Sequence, residues 1–261
     1  MKTSTTPLSR MGNLLKIEVS DMEKALVITL GCMAGLALLH SFGPVEGRES
    51  FHREFLAPFL FIGGAVFTSF AFRELKDGAR AISYMLLPAN PLEKFMVKLL
   101  SATVGYALAL VAAYWLGSSL GEGIRYLATG DSHGIFNPFT METLRMLAGY
   151  LVFASVFLFG AIAFNSYHFV KTVLAMIVLG IGIGIFAAAA FRIIFHSYFD
   201  GMHLKPVYVH MGVMADHLGY TRQFDRGGGS VIHVLGAILL HGIIPVLITV
   251  ASYFKFRERE V

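Results

Sequence analysis

The hydrophobic residues of this chain fall into six long runs separated by polar connections. The runs cover residues of about 25–43, 55–72, 96–118, 143–164, 172–195 and 231–252. Each run approaches the roughly 20 residues that an α-helix needs to cross about 30 Å of hydrocarbon. The pattern therefore predicts an all-α integral membrane protein with about six transmembrane helices, in a single transmembrane domain over residues 1–261.

Composition supports the same class. Hydrophobic residues make up 56% of the chain and charged residues only 15%, whereas a soluble domain has about 25% charged residues. The mean hydropathy is +0.66. Because the longest connection between the runs has about 35 residues, no part of the chain outside them is long enough for a soluble domain of about 100 residues.

The first 24 residues are basic and amphipathic. They carry four basic residues, Lys2, Arg10, Lys16 and Lys24, without a short apolar core and cleavage site, so we predict no removable signal peptide. Residues 7–24 mix apolar and charged positions, which predicts a helix lying in the membrane interface before the first span. A polar tail is the alternative. Cys32 is the single cysteine, which excludes a disulfide within the chain.

The distribution of Lys and Arg predicts the orientation. With the N terminus inside, thirteen basic residues lie in the inner segments and eight in the outer ones, and cytoplasmic loops accumulate basic residues. We therefore expect a multi-pass protein of the cell (inner) membrane with both termini in the cytoplasm. The net charge of +4 is then explained by membrane lipid at the inner leaflet, without nucleic acid as a partner.

The inner connection at residues 73–95 is amphipathic. It reads RELKDGARAISYMLLPANPLEKF, which predicts a short helix parallel to the membrane, with its charged residues toward the cytoplasm and Leu86 and Leu87 in the interface. Pro88 ends that helix and restricts its neighbour, so the chain turns before the third span. We call residues 73–95 the elbow. It is either a docking surface or a plain anchor for two spans.

The elbow also carries a family resemblance. The pattern F-x-E-L followed by YMLLPANPLEKFMVKLL resembles the stretch between the second and third spans in membrane subunits of type 2 ABC transporters. The matching positions are Leu87, Pro88, Ala89, Asn90, Glu93, Lys94 and Lys98. Asn90 replaces the serine that is usual in the family.

The resemblance implies a partner and a role. The chain would be half of a transmembrane pore, paired with a second permease subunit in a homodimer or heterodimer, while a separate ATP-binding cassette ATPase binds the elbow. The residues predicted to bind that partner are Arg73, Glu74, Arg80, Leu86, Leu87, Pro88, Glu93 and Lys94.

Nothing in the sequence predicts a catalytic site or a cofactor in the chain itself. No G-x-x-x-x-G-K-[ST] phosphate loop is present, and the backbone amides and lysine of such a loop are what hold a nucleotide. Gly227, Gly228 and Gly229 are followed by Ser230 and indicate a flexible turn. ATP and Mg²⁺ would be bound by the partner.

The histidines favour a competing chemistry. In the predicted topology nine of the ten lie on the outer side or in the outer half of a span, and four recur every seven residues. Neutral imidazole binds zinc, copper, iron or haem. The candidate metal ligands are His196, His203, His210, His217, His233 and His241. Satisfied polar side chains and a proton relay are the alternatives, and none of the histidines forms an H-E-x-x-H pattern.

The outer connection at about 196–230 is unusually long. A loop of this length is usually functional or disordered, and this one is too apolar and aromatic for disorder. It predicts a structured outer loop before the last span, formed by short re-entrant helices if the resemblance holds.

Three functions follow. The first is the permease of an ATP-driven transporter, the second a metal- or haem-binding membrane subunit, and the third a non-catalytic accessory subunit of a membrane complex.

Overall fold

The computed structural model describes residues 6–43, 48–76, 81–82, 84, 86–131, 134–194, 236 and 238–260. Its regular structure is helical, and no strand occurs in these ranges. Five helices are long and apolar enough to cross a membrane, and the apolar part of another, Glu54–Phe70, is shorter. The chain is therefore a membrane-embedded helical protein, which confirms the predicted class. Six spans remain a prediction, and the outer loop at 196–230 lies outside the described residues.

Helix α1 is a single α-helix, Pro7–His40. Its first turn is capped by Thr6, whose hydroxyl accepts a hydrogen bond from the Ser9 amide, and Pro7 occupies the first position, where no amide is needed. At 1.5 Å per residue, α1 is about 50 Å long. The predicted interfacial helix at 7–24 and the predicted span at 25–43 are parts of one continuous helix that ends at His40. The position of residues 7–24 in the membrane interface stays a prediction.

Helix α2 contains a π-helical turn. It runs over Arg48–Pro58, the π turn Phe59–Gly63 and then Gly64–Phe70. A 3₁₀ turn, Arg73–Lys76, follows at the start of the elbow. Farther along the elbow, the Leu86 amide donates to the Ile82 carbonyl and the Leu87 amide to the Tyr84 carbonyl, so this part is helical as predicted.

Helix α3 is longer than its predicted span. It runs over Pro91–Leu100, a second π turn Ser101–Gly105, and Tyr106–Thr129. At its start the Asn90 amide donates to the Glu93 carboxylate. At its end Gly130 has a φ of +74°, the left-handed conformation that commonly ends helices.

The remaining helices match their predicted spans more closely. Helix α4 is Met141–Ala163 and α5 is His168–Ile194. Helix α6 contains a third π turn, Leu239–Ile243, and continues over Ile244–Glu260, beyond the predicted end at 252. In the most apolar stretch of α5 no residue is buried, so this surface faces lipid or another protein.

The described residues form a bundle with two polar ends and two apolar cores. We call one end the charged end, because Glu18, Glu74 and Lys98 lie there, and the other the histidine end, after His40 and His52. A first core at the histidine end includes Met33, Leu56, Leu60, Leu110, Tyr114 and Tyr150. A separate core at the charged end includes Ala71, Phe72, Phe95, Leu158, Ile162 and Phe256.

Helices α1 and α3 touch at two glycines one turn apart. A methyl group on Gly117 would overlap the Ala34 backbone, and one on Gly121 would overlap Ser41 and the Leu38 carbonyl. Small residues at this spacing let helix backbones approach closely in membranes. The two glycines therefore determine how closely α1 and α3 pack.

We predict that Gly117→Ala destabilises the protein by about 1–3 kcal/mol, the usual effect of overpacking a tight contact. The matched control is Gly123→Ala in the same helix. Gly123 has open space around its Cβ position, so alanine there should be neutral or stabilising by up to about 1 kcal/mol. The measurement is the apparent melting temperature in detergent. Equal shifts for both variants would contradict the close contact.

Candidate functional site

The charged end contains a buried lysine held by two carboxylates. Lys98 Nζ lies 2.6 Å from Glu18 Oε2 and 2.7 Å from Glu74 Oε2, and the lysine side chain is only 3% exposed. A buried ammonium is tolerated only when it is paired and hydrogen-bonded. Because Glu18 belongs to α1, Glu74 to the 3₁₀ turn and Lys98 to α3, one ammonium joins three segments.

Local sequence explains why these groups meet. On α1 the residues at Leu14, Glu18, Met22 and Leu26 follow a spacing of four, which places them along one side of the helix. Met22 and Leu26 pack against the first core, so Glu18 lies on the packed side. The first turn of α3, set by Asn90 and Pro91, brings Lys98 to the same level.

A second ion pair joins the same two helices. Arg10 Nη2 lies 2.9 Å from Glu93 Oε1, and the other oxygen of Glu93 accepts the Asn90 amide at 3.2 Å. Glu93 therefore both caps α3 and holds the first turns of α1. Arg10 is about one-third exposed, so this pair is closer to solvent than the Lys98 cluster.

Arg73 fixes the end of α2 to α1. Its Nη2 donates to the Asp21 carbonyl at 3.1 Å, and its Nε lies 3.5 Å from Glu74 Oε1. The 3₁₀ turn is thus held against α1 by Arg73 and against α3 by Glu74.

The elbow folds over this cluster through Tyr84. The Tyr84 ring centroid is 5.2 Å from Lys98 Nζ and 5.5 Å from Lys94 Nζ, distances at which an ammonium is attracted by an aromatic face. Leu87 and Tyr84 line a small cleft together with Glu18, Asp21 and Lys94. The cleft lies between α1 and the elbow, and each of its walls carries both apolar and charged side chains.

Two apolar side chains of the elbow project away from the cluster. Leu86 is 77% exposed and Ile82 is 61% exposed. These two side chains form the outer surface of the elbow, and the inner surface of the elbow contacts the charged cluster. We call this outer surface the elbow face.

The structure separates the predicted partner-binding residues into two groups. Glu93 and Lys94 are buried, Glu74 pairs with Lys98, and Arg73 contacts α1, so these four hold the chain together. Leu86 and Pro88 are exposed and Leu87 is partly buried. Arg80 lies outside the described side chains.

Sequence reasoning missed three residues of the cluster as site residues, namely Arg10, Glu18 and Lys98, and it noted Lys98 only as a position of the motif. Arg10 gave no local signal, because its partner is 83 positions away. Glu18 did give one: it is a carboxylate in a row of apolar residues at helical spacing, where a charge requires a buried partner.

The histidine end holds a smaller aromatic and polar cluster. His52 Nδ1 lies 2.7 Å from the Tyr114 hydroxyl, and the His52 and His40 ring centroids are 4.9 Å apart in an edge-on arrangement. Phe136 covers His52 at 5.7 Å between ring centroids. Nearby, Arg125 donates to the Ser41 carbonyl at 2.8 Å. This cluster joins the end of α1, the start of α2 and the middle of α3.

The predicted metal ligands lie elsewhere. His196, His203, His210, His217 and His233 fall outside the described residues, and His241 lies exposed in the π turn of α6. In the described part of the chain, no group of three or more His, Cys, Asp or Glu residues is arranged to hold a metal ion. Metal or haem binding stays a prediction.

Comparison of the chain with models of known protein families, with curated proteins and with solved structures finds no match in any of the three.

We predict that Lys98→Met destabilises the protein by about 3–5 kcal/mol, because it leaves the buried Glu18 carboxylate without its cation and leaves Glu74 with Arg73 alone. The readout is again the apparent melting temperature in detergent. Lys98→Met combined with Glu18→Gln and Glu74→Gln should recover much of the loss, since it removes the uncompensated charges.

The matched control is Lys255→Met. Lys255 Nζ lies 2.6 Å from Glu258 Oε2, but both side chains are about half exposed, and exposed pairs contribute about 0–1 kcal/mol. Similar decreases in melting temperature for Lys98→Met and Lys255→Met would show that burial does not increase the contribution of the Lys98 ion pairs to stability.

Proposed function

We propose that this chain is the transmembrane subunit of an ATP-driven transporter of the type 2 ABC class, energised by a separate ATPase chain that docks on the elbow face. The observation that carries the proposal is the construction of the elbow. Its outer surface is apolar and exposed at Ile82 and Leu86, while its inner side contacts Lys98 through Tyr84. A partner pressing on the elbow face would act on α1, α2 and α3 together.

The residues that carry the family resemblance also occupy structurally important positions at the start of α3. The Leu87–Pro88–Ala89–Asn90 segment that carries the resemblance forms the turn between the helical part of the elbow and α3. Glu93 and Lys98, at two further matching positions, hold α3 to α1 through Arg10 and Glu18. In a permease, these residues would transmit movement of the elbow to the spans.

The sequence of the chain indicates which subunit would bind ATP. Its sequence has no phosphate-binding loop, so ATP and Mg²⁺ would be held by the ATPase. The unburied surface of α5 leaves room for lipid or a second permease subunit. Six spans, a cytoplasmic charged end and an inner-membrane location belong to this proposal, supported by the excess of basic residues on that side.

We predict that ATP hydrolysis co-purifies with the tagged chain from its native membranes and that Leu86→Glu reduces it to background. A carboxylate on the elbow face would have to be desolvated on docking. The control is Leu127→Glu, at the far end of α3, where the side chain is 86% exposed; this variant should retain the activity. Absence of ATPase activity from the wild-type eluate, or equal activity in Leu86→Glu, would count against the proposal.

Orientation can be measured separately with single cysteines. In a Cys32→Ser background, we expect Phe139→Cys to react with a membrane-impermeant maleimide in intact cells. Leu86→Cys should react only in inverted vesicles. Both positions are exposed, so the side of the membrane decides the labelling. The reverse pattern would place the elbow outside and exclude a cytoplasmic ATPase as its partner.

A further inference from the structure

The ammonium group of Lys98 is enclosed on several sides. An ammonium carries three N–H donors, and two carboxylate oxygens lie within hydrogen-bonding distance of Lys98 Nζ, Glu18 Oε2 at 2.6 Å and Glu74 Oε2 at 2.7 Å. The ring of Tyr84 lies on a further side, with its centroid 5.2 Å from the same nitrogen. Two carboxylates and one aromatic ring therefore shield this ammonium from water.

The Tyr84 ring covers a second ammonium group as well. Its centroid is 5.5 Å from Lys94 Nζ, and Lys94 is only 4% exposed. The two ammonium groups repel each other, whereas an aromatic face attracts both. An aliphatic side chain of similar size would cover the same nitrogens without attracting them, so the aromatic ring has a specific role at this position.

Tyr84 belongs to a short segment that lies outside the spans. We call this segment, residues 81–90, the strap. Its shape comes from local backbone bonds, in which the Leu86 amide donates to the Ile82 carbonyl and the Leu87 amide to the Tyr84 carbonyl. Tyr84 packs against the edge of the second core, whose described buried members all lie outside the strap. The strap can therefore move while that core stays packed.

A cleft runs beneath the strap and reaches the cluster. Tyr84 and Leu87 lie on the strap side of this cleft, Glu18 lies on the α1 side, and Lys98 is part of the lining. The volume of the cleft is about 30 Å³, which is room for one or two water molecules. Water therefore has space next to the cluster, and the Tyr84 ring stands between that space and the ammonium groups.

We infer that the strap is a movable cover and that the Tyr84 ring keeps water away from the Lys98 cluster. With the ring in place, the ion pairs of Lys98 are buried. When the strap lifts, water reaches the ammonium group and the pairs become weak, because hydrated ion pairs contribute little to stability. The position of the strap then determines how firmly α1 is held to α3. This cover is a property of the chain alone and does not depend on which partner binds the elbow face.

The test measures how readily solvent reaches each lysine in the purified full-length chain in lipid nanodiscs. A water-soluble N-hydroxysuccinimide ester of acetic acid acylates amines that are accessible to solvent, and mass spectrometry of the digested chain gives the rate at each lysine. Lys94 and Lys98 report on the cluster. Lys255, whose side chain is 47% exposed, is the internal reference.

Tyr84→Leu removes the aromatic face and keeps an apolar side chain. We expect this variant to raise the acylation rate of Lys98 about 3- to 30-fold, the range that the loss of one cation–π contact gives. Lys94 should change in the same direction, and the rate at Lys255 should stay the same. Tyr84→Phe keeps the aromatic face and should retain most of the protection. The matched control is Tyr126→Leu, because Tyr126 is exposed on α3 at the histidine end.

Three results would overturn the cover. An unchanged rate at Lys98 in Tyr84→Leu would show that the ring does not keep water away. Equal increases in Tyr84→Leu and Tyr84→Phe would show that the hydroxyl group, and not the aromatic face, gives the protection. Similar increases at Lys98 and Lys255 would show a general loosening of the chain.

A second variant keeps the inference testable if Tyr84→Leu fails to purify as a monodisperse species. Leu87→Ala keeps the Tyr84 ring but shortens the other strap side chain that lines the cleft. We expect a smaller increase in the acylation rate of Lys98, again with no change at Lys255. An unchanged rate at Lys98 in this variant would overturn the cover in the same way.

Discussion

The burial of one ammonium group determines how the charged end is built. Removing a lysine from water costs several kcal/mol unless carboxylates surround it, and Lys98 obtains these from Glu18 and Glu74. Neither carboxylate is on the helix of the lysine, so the ion pairs form only when α1, the turn after α2 and the start of α3 have come together. Tertiary structure here is specified by charge pairing as much as by apolar contact.

The Lys98 cluster holds the elbow in an ordered position. A connection of more than 20 residues between two spans would by composition be a loose amphipathic segment, yet Tyr84 rests on Lys94 and Lys98 and Arg73 is fixed to α1. Its apolar residues Ile82 and Leu86 are then presented outward on a supported surface. A docking surface that is already ordered loses less conformational entropy on binding than a loop that has to fold.

The sequence predicted the helices well and their ends and contacts poorly, for physical reasons. An apolar run shows which residues lie in the hydrocarbon of the membrane, but the helix can continue beyond the apolar run on either side. Helix α1 therefore begins at Pro7, and the helix that contains the third span extends from Pro91 to Thr129. Only part of the candidate site could be predicted from the sequence. Glu74, Glu93 and Lys94 were found through the motif, whereas their role became clear from partners as distant as 83 positions, such as Arg10.

The two ion pairs that join α1 and α3 differ in their exposure to solvent. Lys98 is 3% exposed and Glu18 9%, whereas Arg10 is 34% exposed and Glu93 11%. Breaking a buried pair costs about 3–5 kcal/mol because it leaves an uncompensated charge, and an exposed pair contributes only about 0–1 kcal/mol. The contact between α1 and α3 therefore depends more on the Lys98 cluster than on the Arg10–Glu93 pair.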